Sequence, residues 1–199
     1  MGVTEAIEAI RAGKPVLLPT DTVYGLCATP DSEAAARDLY RLKGREQVQP
    51  TALVARDVAT LVERVPELRG RSETIAGALL PGSYTLVLPN PAGRYPWLTG
   101  ERPETIGVRV PELPDAAATV LAAVGCVLAT SANLPGGPDP RRLGDVPAEI
   151  RSACAAEVDA GELPGTPSTV IDFTGPEPRV LREGLASSAE ALERVRRLS

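Results

Sequence analysis

The chain of 199 residues contains no histidine. That excludes Ser-His-Asp triads, His-based zinc sites and imidazole proton shuttles together. Cysteine is scarce: Cys27, Cys126 and Cys154 lie far apart and form no Cys-x-x-Cys pair. They are expected as small buried hydrophobes, not as a disulfide or a metal cluster. Aromatic residues make up only 3%, which leaves few stacking platforms for single-stranded nucleic acid. No apolar run approaches the ~20 residues of a membrane span. Neither a Walker loop nor a Gly-x-Gly-x-x-Gly run is present, so a nucleotide would be held by side chains and scattered amides. The net charge of -5, from 26 acidic and 21 basic side chains, argues against a duplex-binding protein. A local basic patch in a cleft remains compatible with that total.

What remains for chemistry is Lys, Arg, Asp, Glu, hydroxyls and bound ligands. With 43% hydrophobic and 24% charged residues, the composition is that of an ordinary soluble globular chain. The length suits a single domain over 1–199. Met1-Gly2-Val3-Thr4-Glu5 lacks the basic and apolar regions of a signal peptide, so a cytoplasmic protein without a membrane anchor is expected.

Helical spacing of apolar residues, such as Ile7 with Ile10 and Leu39 with Leu42, predicts helices at 5–12, 31–42, 58–65 and 73–80. Further helices are predicted at 115–124, 147–154 and 189–198. Thr4, Ser72 and Ser187 or Ser188 are the expected caps for three of these. Short apolar runs predict strands at 15–19, 51–55, 84–88, 105–110, 126–129, 157–160, 168–173 and 179–182. The interleaving argues for a three-layer α/β fold. Strands that follow one another without a helix, over 84–110 and 168–182, argue for a mixed sheet. The segment 92–104, rich in Gly, Pro and Arg and holding the only Trp, reads as a loop able to move over a site.

Four polar clusters fall at the ends of these elements. Thr20-Asp21-Thr22 follows the apolar run Val16-Leu17-Leu18, where open α/β sheets place ligands, although such residues also suit an ordinary turn. Lys43-Gly44-Arg45 offers a point charge and a bidentate fork to one anion, or else a solvated helix C-terminus. Ser131-Ala132-Asn133 and Ser168-Thr169 end two strands. Arg109 must face away from Val108 and Val110, either onto an exposed face or into a polar cleft.

Pro19-Thr20-Asp21-Thr22-Val23-Tyr24-Gly25-Leu26, Lys43-Gly44-Arg45 and Pro81-Gly82-Ser83-Tyr84-Thr85-Leu86-Val87-Leu88 together resemble the YrdC-like family. So do Thr105-Ile106-Gly107-Val108-Arg109-Val110-Pro111, Thr130-Ser131-Ala132-Asn133-Leu134, Ser168-Thr169-Val170-Ile171-Asp172 and Leu181-Arg182-Glu183-Gly184. The motifs run in order over about residues 3–186. The resemblance implies an L-threonylcarbamoyladenylate synthase of the short form. Its fold would be a twisted mixed sheet flanked by helices, with an open, concave, basic site. Such an enzyme converts L-threonine, bicarbonate and ATP to threonylcarbamoyl-AMP and pyrophosphate. Its product feeds a tRNA threonylcarbamoyl transferase complex that modifies the adenosine beside the anticodon.

The same resemblance assigns Thr22, Arg109, Ser131 and Ser168 to threonine. It assigns Arg45, Gln49, Thr105, Asn133, Arg141 and Arg182 to ATP, and makes Lys43 and Arg45 the catalytic cations. Mg2+ would arrive with ATP, with no protein-bound metal site. Glu46, Gln49, Thr51, Val54, Pro135 and Arg141 depart from the family pattern, mostly on the nucleotide side. Asp21 receives no role, and Tyr24 is expected to pack beneath the site. An RNA-binding or ribosome-associated module using the same concave surface is the alternative, with direct tRNA binding as its sign. Lys43→Ala or Arg45→Ala is predicted to abolish pyrophosphate release; normal turnover in both variants, measured by a coupled phosphate assay, would contradict the phosphate cradle.

Overall fold

The computed structural model describes residues 2–44 and 49–198. Among these residues, nine strands form one sheet: β1 (Val16–Pro19), β2 (Tyr24–Ala28), β3 (Ala52–Ala55), β4 (Tyr84–Pro89), β5 (Thr105–Arg109), β6 (Cys126–Ser131), β7 (Ala156–Glu157), β8 (Thr169–Asp172) and β9 (Arg179–Arg182). Their order is β7-β1-β2-β6-β3-β5-β4-β8-β9. The pairs β1–β7, β3–β5 and β4–β8 are parallel. The other neighbours are antiparallel, so the sheet is mixed, as expected.

The helices are α1 (Val3–Arg11), α2 (Glu33–Leu42), α3 (Val58–Arg64), α4 (Arg71–Leu79), α5 (Asp115–Val124), α6 (Ala148–Ala153) and α7 (Ser188–Arg196). The Ser32 and Ser187 hydroxyls accept the amides of Ala35 and Glu190, which fixes the starts of α2 and α7. Two expected caps are replaced. Gly2 precedes α1, with its amide donating to the Glu5 carboxylate at 2.9 Å, so the acidic residue of the first turn takes the role expected of Thr4. Gly70 precedes α4 at φ 90, a left-handed conformation that Ser72 would not adopt readily.

Alternation along the strands makes two cores. On one face, Leu17, Tyr24, Leu26, Leu53, Leu86, Val108, Leu128 and Ile171 pack with residues of α2, α3, α4, α6 and α7. On the other, Val16, Leu18, Cys27, Val54 and Val127 pack under α1 and α5. That second helical layer covers only the β7-β1-β2-β6 part of the sheet and Val54 of β3. Over the rest, the same face stays open. Cys27 and Cys126 are buried and Cys154 is half-buried, all three as free thiols.

Strand β2 corresponds to a segment assigned no element above, although Tyr24-Gly25-Leu26-Cys27-Ala28 is apolar throughout. It forms a hairpin with β1 in the register Pro19↔Tyr24. The segment 92–104 is a pinned wall, not a free flap. The Asn90 side chain donates to the Arg94 and Pro103 carbonyls, Trp97 Nε1 donates to Pro30 O, and the Tyr40 hydroxyl donates to Trp97 O. At the far edge, all four residues of β9 are exposed. Leu128→Ala should therefore cost about 2–5 kcal/mol, whereas Leu181→Ala should change stability by less than about 0.5 kcal/mol, as read from urea unfolding.

Candidate active site

The uncovered half of the second face forms a cavity of about 460 Å³. Its floor is made by the strand positions that alternate with the first core. Gly25, Ala52, Gly107 and Ala129 contribute almost no side chain, while Thr85, Thr105, Arg109 and Ser131 contribute polar atoms. A Cβ on Gly107 would meet nothing closer than 3.8 Å. The missing side chain there leaves room in the cavity and does not relieve a clash.

One wall is the β1–β2 turn. The Thr20 hydroxyl donates to Val23 O at 2.7 Å and accepts from the amides of Thr22 and Val23. Because its proton goes to Val23, the 2.9 Å contact between the two threonine hydroxyls has Thr22 as donor. The turn is braced from outside by Tyr24, whose amide donates to Pro140 O. The Tyr24 hydroxyl meets Asp159 at 2.8 Å and Gly161 O at 2.9 Å. Burial pushes that hydroxyl up to about 12, so it stays protonated as a structural tie. Tyr24 thus packs beneath the site and also anchors it.

Arg109 enters from β5 with a side chain only 12% exposed. Its Nη2 donates to Asp21 Oδ1 at 2.8 Å and to the Thr22 hydroxyl at 3.4 Å. Asp21 in turn accepts from the Ser83 hydroxyl at 2.7 Å. Burial pulls the Arg109 guanidinium below its ordinary value, Asp21 opposes that shift, and the nearby Arg182 reinforces it. A guanidinium starts so high that it keeps its charge here. An anion entering the cavity would relieve both the desolvation and the repulsion from Arg182.

On the β8 side, the Ser168 hydroxyl lies 2.8 Å from the Thr85 hydroxyl, and Arg182 donates twice to Ser168 O at 2.9 and 3.1 Å. Thr105 donates to Arg102 O at 3.0 Å. Arg102 reaches Asp172 at 3.3 Å and forms part of the rim with Thr99 and Glu101.

Thr22, Arg109, Ser131 and Ser168, the four residues assigned to threonine, all line this one cavity. The ATP set divides. Thr105 and Arg182 line the cavity, while Gln49, Asn133 and Arg141 do not. Asn133 has its amide fully engaged. Its oxygen accepts from Lys43 Nζ and the Ser131 hydroxyl, and its nitrogen donates to Gly137 O and Asp139. Arg141 points outward to Glu162 at 2.7 Å, with its stem against Gly165. Gln49 is exposed. Arg45 lies outside the described residues, as does Glu46.

Lys43 differs from a solvated helix end. It is fully buried and donates to Ser131 O, the Ser131 hydroxyl and Asn133 Oδ1. Its charge lies behind Ser131, at the edge of the cavity. Lys43→Ala would remove packing and a shared donor as well as charge. The residues missed from sequence are Asp21 in its role, Ser83, Thr85, Arg102 and Asp139. Of these, only Asp21, Ser83 and Thr85 stood in motifs, and neither spacing nor residue type tied them to Arg109 or to Ser168. Among the described residues, no group of three or more His, Cys, Asp or Glu stands where it could hold a metal ion. Among the described residues, no helix is long and apolar enough to cross a membrane.

The fold and site together define a mixed-sheet α/β protein with a half-covered sheet face and arginines in the resulting cavity. The family model for Sua5, YciO and YrdC, described as telomere recombination, matches residues 8–184, and the chain belongs to that family. A putative threonylcarbamoyl-AMP synthase of Mycobacterium tuberculosis is 33% identical, over 96% of this chain and 88% of that protein. The structure of P. abyssi Sua5 complexed with L-threonine superposes with a TM-score of 0.87 at 31% identity, covering 96% of this chain and 56% of that one. E. coli YciO gives a TM-score of 0.81 at 27% identity, covering 93% and 90%. The chain thus spans little more than half the length of the Sua5 structure and most of the other two.

Gly184 bears directly on the site. A Cβ there would lie 2.2 Å from Pro167 O and 2.5 Å from the Ser168 carbonyl carbon, both backbone atoms that cannot step aside cheaply. Gly184→Ala should therefore displace Ser168 and lower threonine-dependent activity at least tenfold, with a melting temperature loss of a few degrees; full activity in a steady-state assay would show that Ser168 is dispensable.

Proposed function

We propose that this protein is a threonylcarbamoyl-AMP synthase acting on L-threonine, bicarbonate and ATP. One observation carries the reading: Thr22, Arg109, Ser131 and Ser168 converge on one cavity of about 460 Å³, inside the ~300–1,000 Å³ range of small-molecule sites. The relatives named as threonylcarbamoyl-AMP synthases and the Sua5 complex with L-threonine support it.

In this reading Arg109 takes the carboxylate of threonine, and the hydroxyls of Thr22, Ser131 and Ser168 orient its amine and side chain. The amine attacks the carbon of bicarbonate, and loss of water leaves an N-carboxylate. A carbamate oxygen then bonds to the α-phosphorus of ATP as the bond from that phosphorus to the bridging β-oxygen breaks. Pyrophosphate leaves; Mg2+ would arrive with the nucleotide and offset charge on its phosphates. Each step gathers anions, so the chain's contribution is positioning and charge stabilisation, with no imidazole required. Arg182, Arg102, Lys43 and Arg45 supply positive charge around the phosphates, beside Thr105. The product would pass to a tRNA threonylcarbamoyl transferase complex in the cytoplasm.

The RNA-binding alternative lacks exposed aromatic rings on which bases could stack. All six aromatic residues lie among the described residues, and none is exposed. Trp97 stacks edge-on against Tyr95 and donates its ring nitrogen to Pro30 O. Pyrophosphate release should require ATP, bicarbonate and L-threonine together; release that is indifferent to threonine in a coupled phosphatase assay would refute the assignment.

A further inference from the structure

Asp21 and Arg109 are both nearly buried, with side chains 8% and 12% exposed. An aspartate this close to a guanidinium ordinarily forms a two-point fork. Here it does not. Only Asp21 Oδ1 meets Arg109, at Nη2 and 2.8 Å. The other carboxylate oxygen accepts the Ser83 hydroxyl at 2.7 Å. Ser83 is itself fixed, because its carbonyl accepts the Thr169 amide at 3.0 Å where β8 begins beside β4. The serine therefore holds the carboxylate from a rigid strand pair.

The consequence lies on the guanidinium. Nη2 is shared by Asp21 and Thr22. Nε is buried without a partner. Nη1 carries no hydrogen bond among the described residues and is not among the buried atoms left without a partner, so it is the accessible nitrogen of a residue that lines the cavity. A two-point fork through both terminal nitrogens would engage Nη1 as well. A one-point contact orients the group and leaves a donor for a carboxylate, in a site that Arg182 already makes more positive.

We propose that Ser83 and Asp21 are positioning residues for the amino-acid substrate: Ser83 restrains Asp21 to one nitrogen of Arg109, which keeps the accessible nitrogen free for the substrate carboxylate. This rests on the reading of the cavity as a threonine site. Neither residue touches the substrate, and both act through Arg109.

The test is threonine saturation at fixed high ATP and bicarbonate, with pyrophosphate as readout, for the wild type, Ser83→Ala and Ser83→Thr. A melting curve accompanies each variant. Removing the restraint should raise the KM for threonine about tenfold, the scale of one hydrogen bond to a charged group. The kcat should stay within about twofold and the KM for ATP unchanged. Ser83→Thr restores the hydroxyl and should restore the threonine KM. Ser83→Cys, of similar size but a poor donor, should reproduce the loss and serves if the alanine variant folds badly. An unchanged threonine KM in both Ser83→Ala and Ser83→Cys would overturn the proposal. So would an equal rise in the ATP KM, or a threonine variant no better than alanine. If the wild type itself ignores threonine, the synthase reading fails and takes this inference with it. A threonine-dependent wild type beside indifferent variants fails the inference alone.

Discussion

Successive residues of a strand face opposite ways, so each central strand of this sheet serves two environments at once. Leu26, Leu53, Val108 and Leu128 build the larger core, while their neighbours Gly25, Ala52, Gly107 and Ala129 floor the cavity. The cavity depends on both halves of that pattern. Large side chains at the floor positions would fill it, and polar ones on the other face would dissolve the core. The second condition is where the helices stop. The layer made by α1 and α5 covers Val16, Leu18, Cys27, Val54 and Val127 and extends no further over the sheet. A full third layer would leave no site.

Two buried cations, Arg109 and Lys43, lie in or beside the open half. Arg109 faces Asp21 and the Thr22 hydroxyl, and Lys43 donates to oxygens of Ser131 and Asn133. Burying a charge is costly even where it is paired, and a hydrophobic pair of similar size is often at least as stable. Stability alone therefore does not account for these residues. Arg109 Nε is buried without a partner, so an anionic ligand would complete its surroundings, and Ser131, which meets Lys43 and lines the cavity, joins the lysine to the site.

Much of this was legible in the sequence, for identifiable reasons. Elements with strong periodicity came out at or within a residue or two of their observed bounds: α5 at 115–124 and β9 at 179–182 match on both ends. The facing of Arg109 followed from Val108 and Val110 alone. The convergence of Thr22, Arg109, Ser131 and Ser168 came from the motif resemblance, since nothing local shows that residues up to 146 positions apart meet. What the sequence concealed was partnership. Whether a polar residue meets a ligand or another part of the chain depends on distant loops. Asn133 is engaged by Gly137 and Asp139, Arg141 by Glu162, and Asp21 by Ser83. Likewise β2 escaped assignment because its residues are buried on both faces and show no alternation.

The floor of the cavity is a single layer of peptide. Val108, fully buried in the core, and Arg109, which points into the site, are joined by one bond of backbone and move together. Close-packed interiors are stiff and pass displacement on to their neighbours. A substitution on the far side of the sheet, with no atom near the ligand, would shift the guanidinium by tenths of an ångström. In this fold, tolerance to change in the core and discrimination among ligands are set by the same strands, and selection on one is heard by the other.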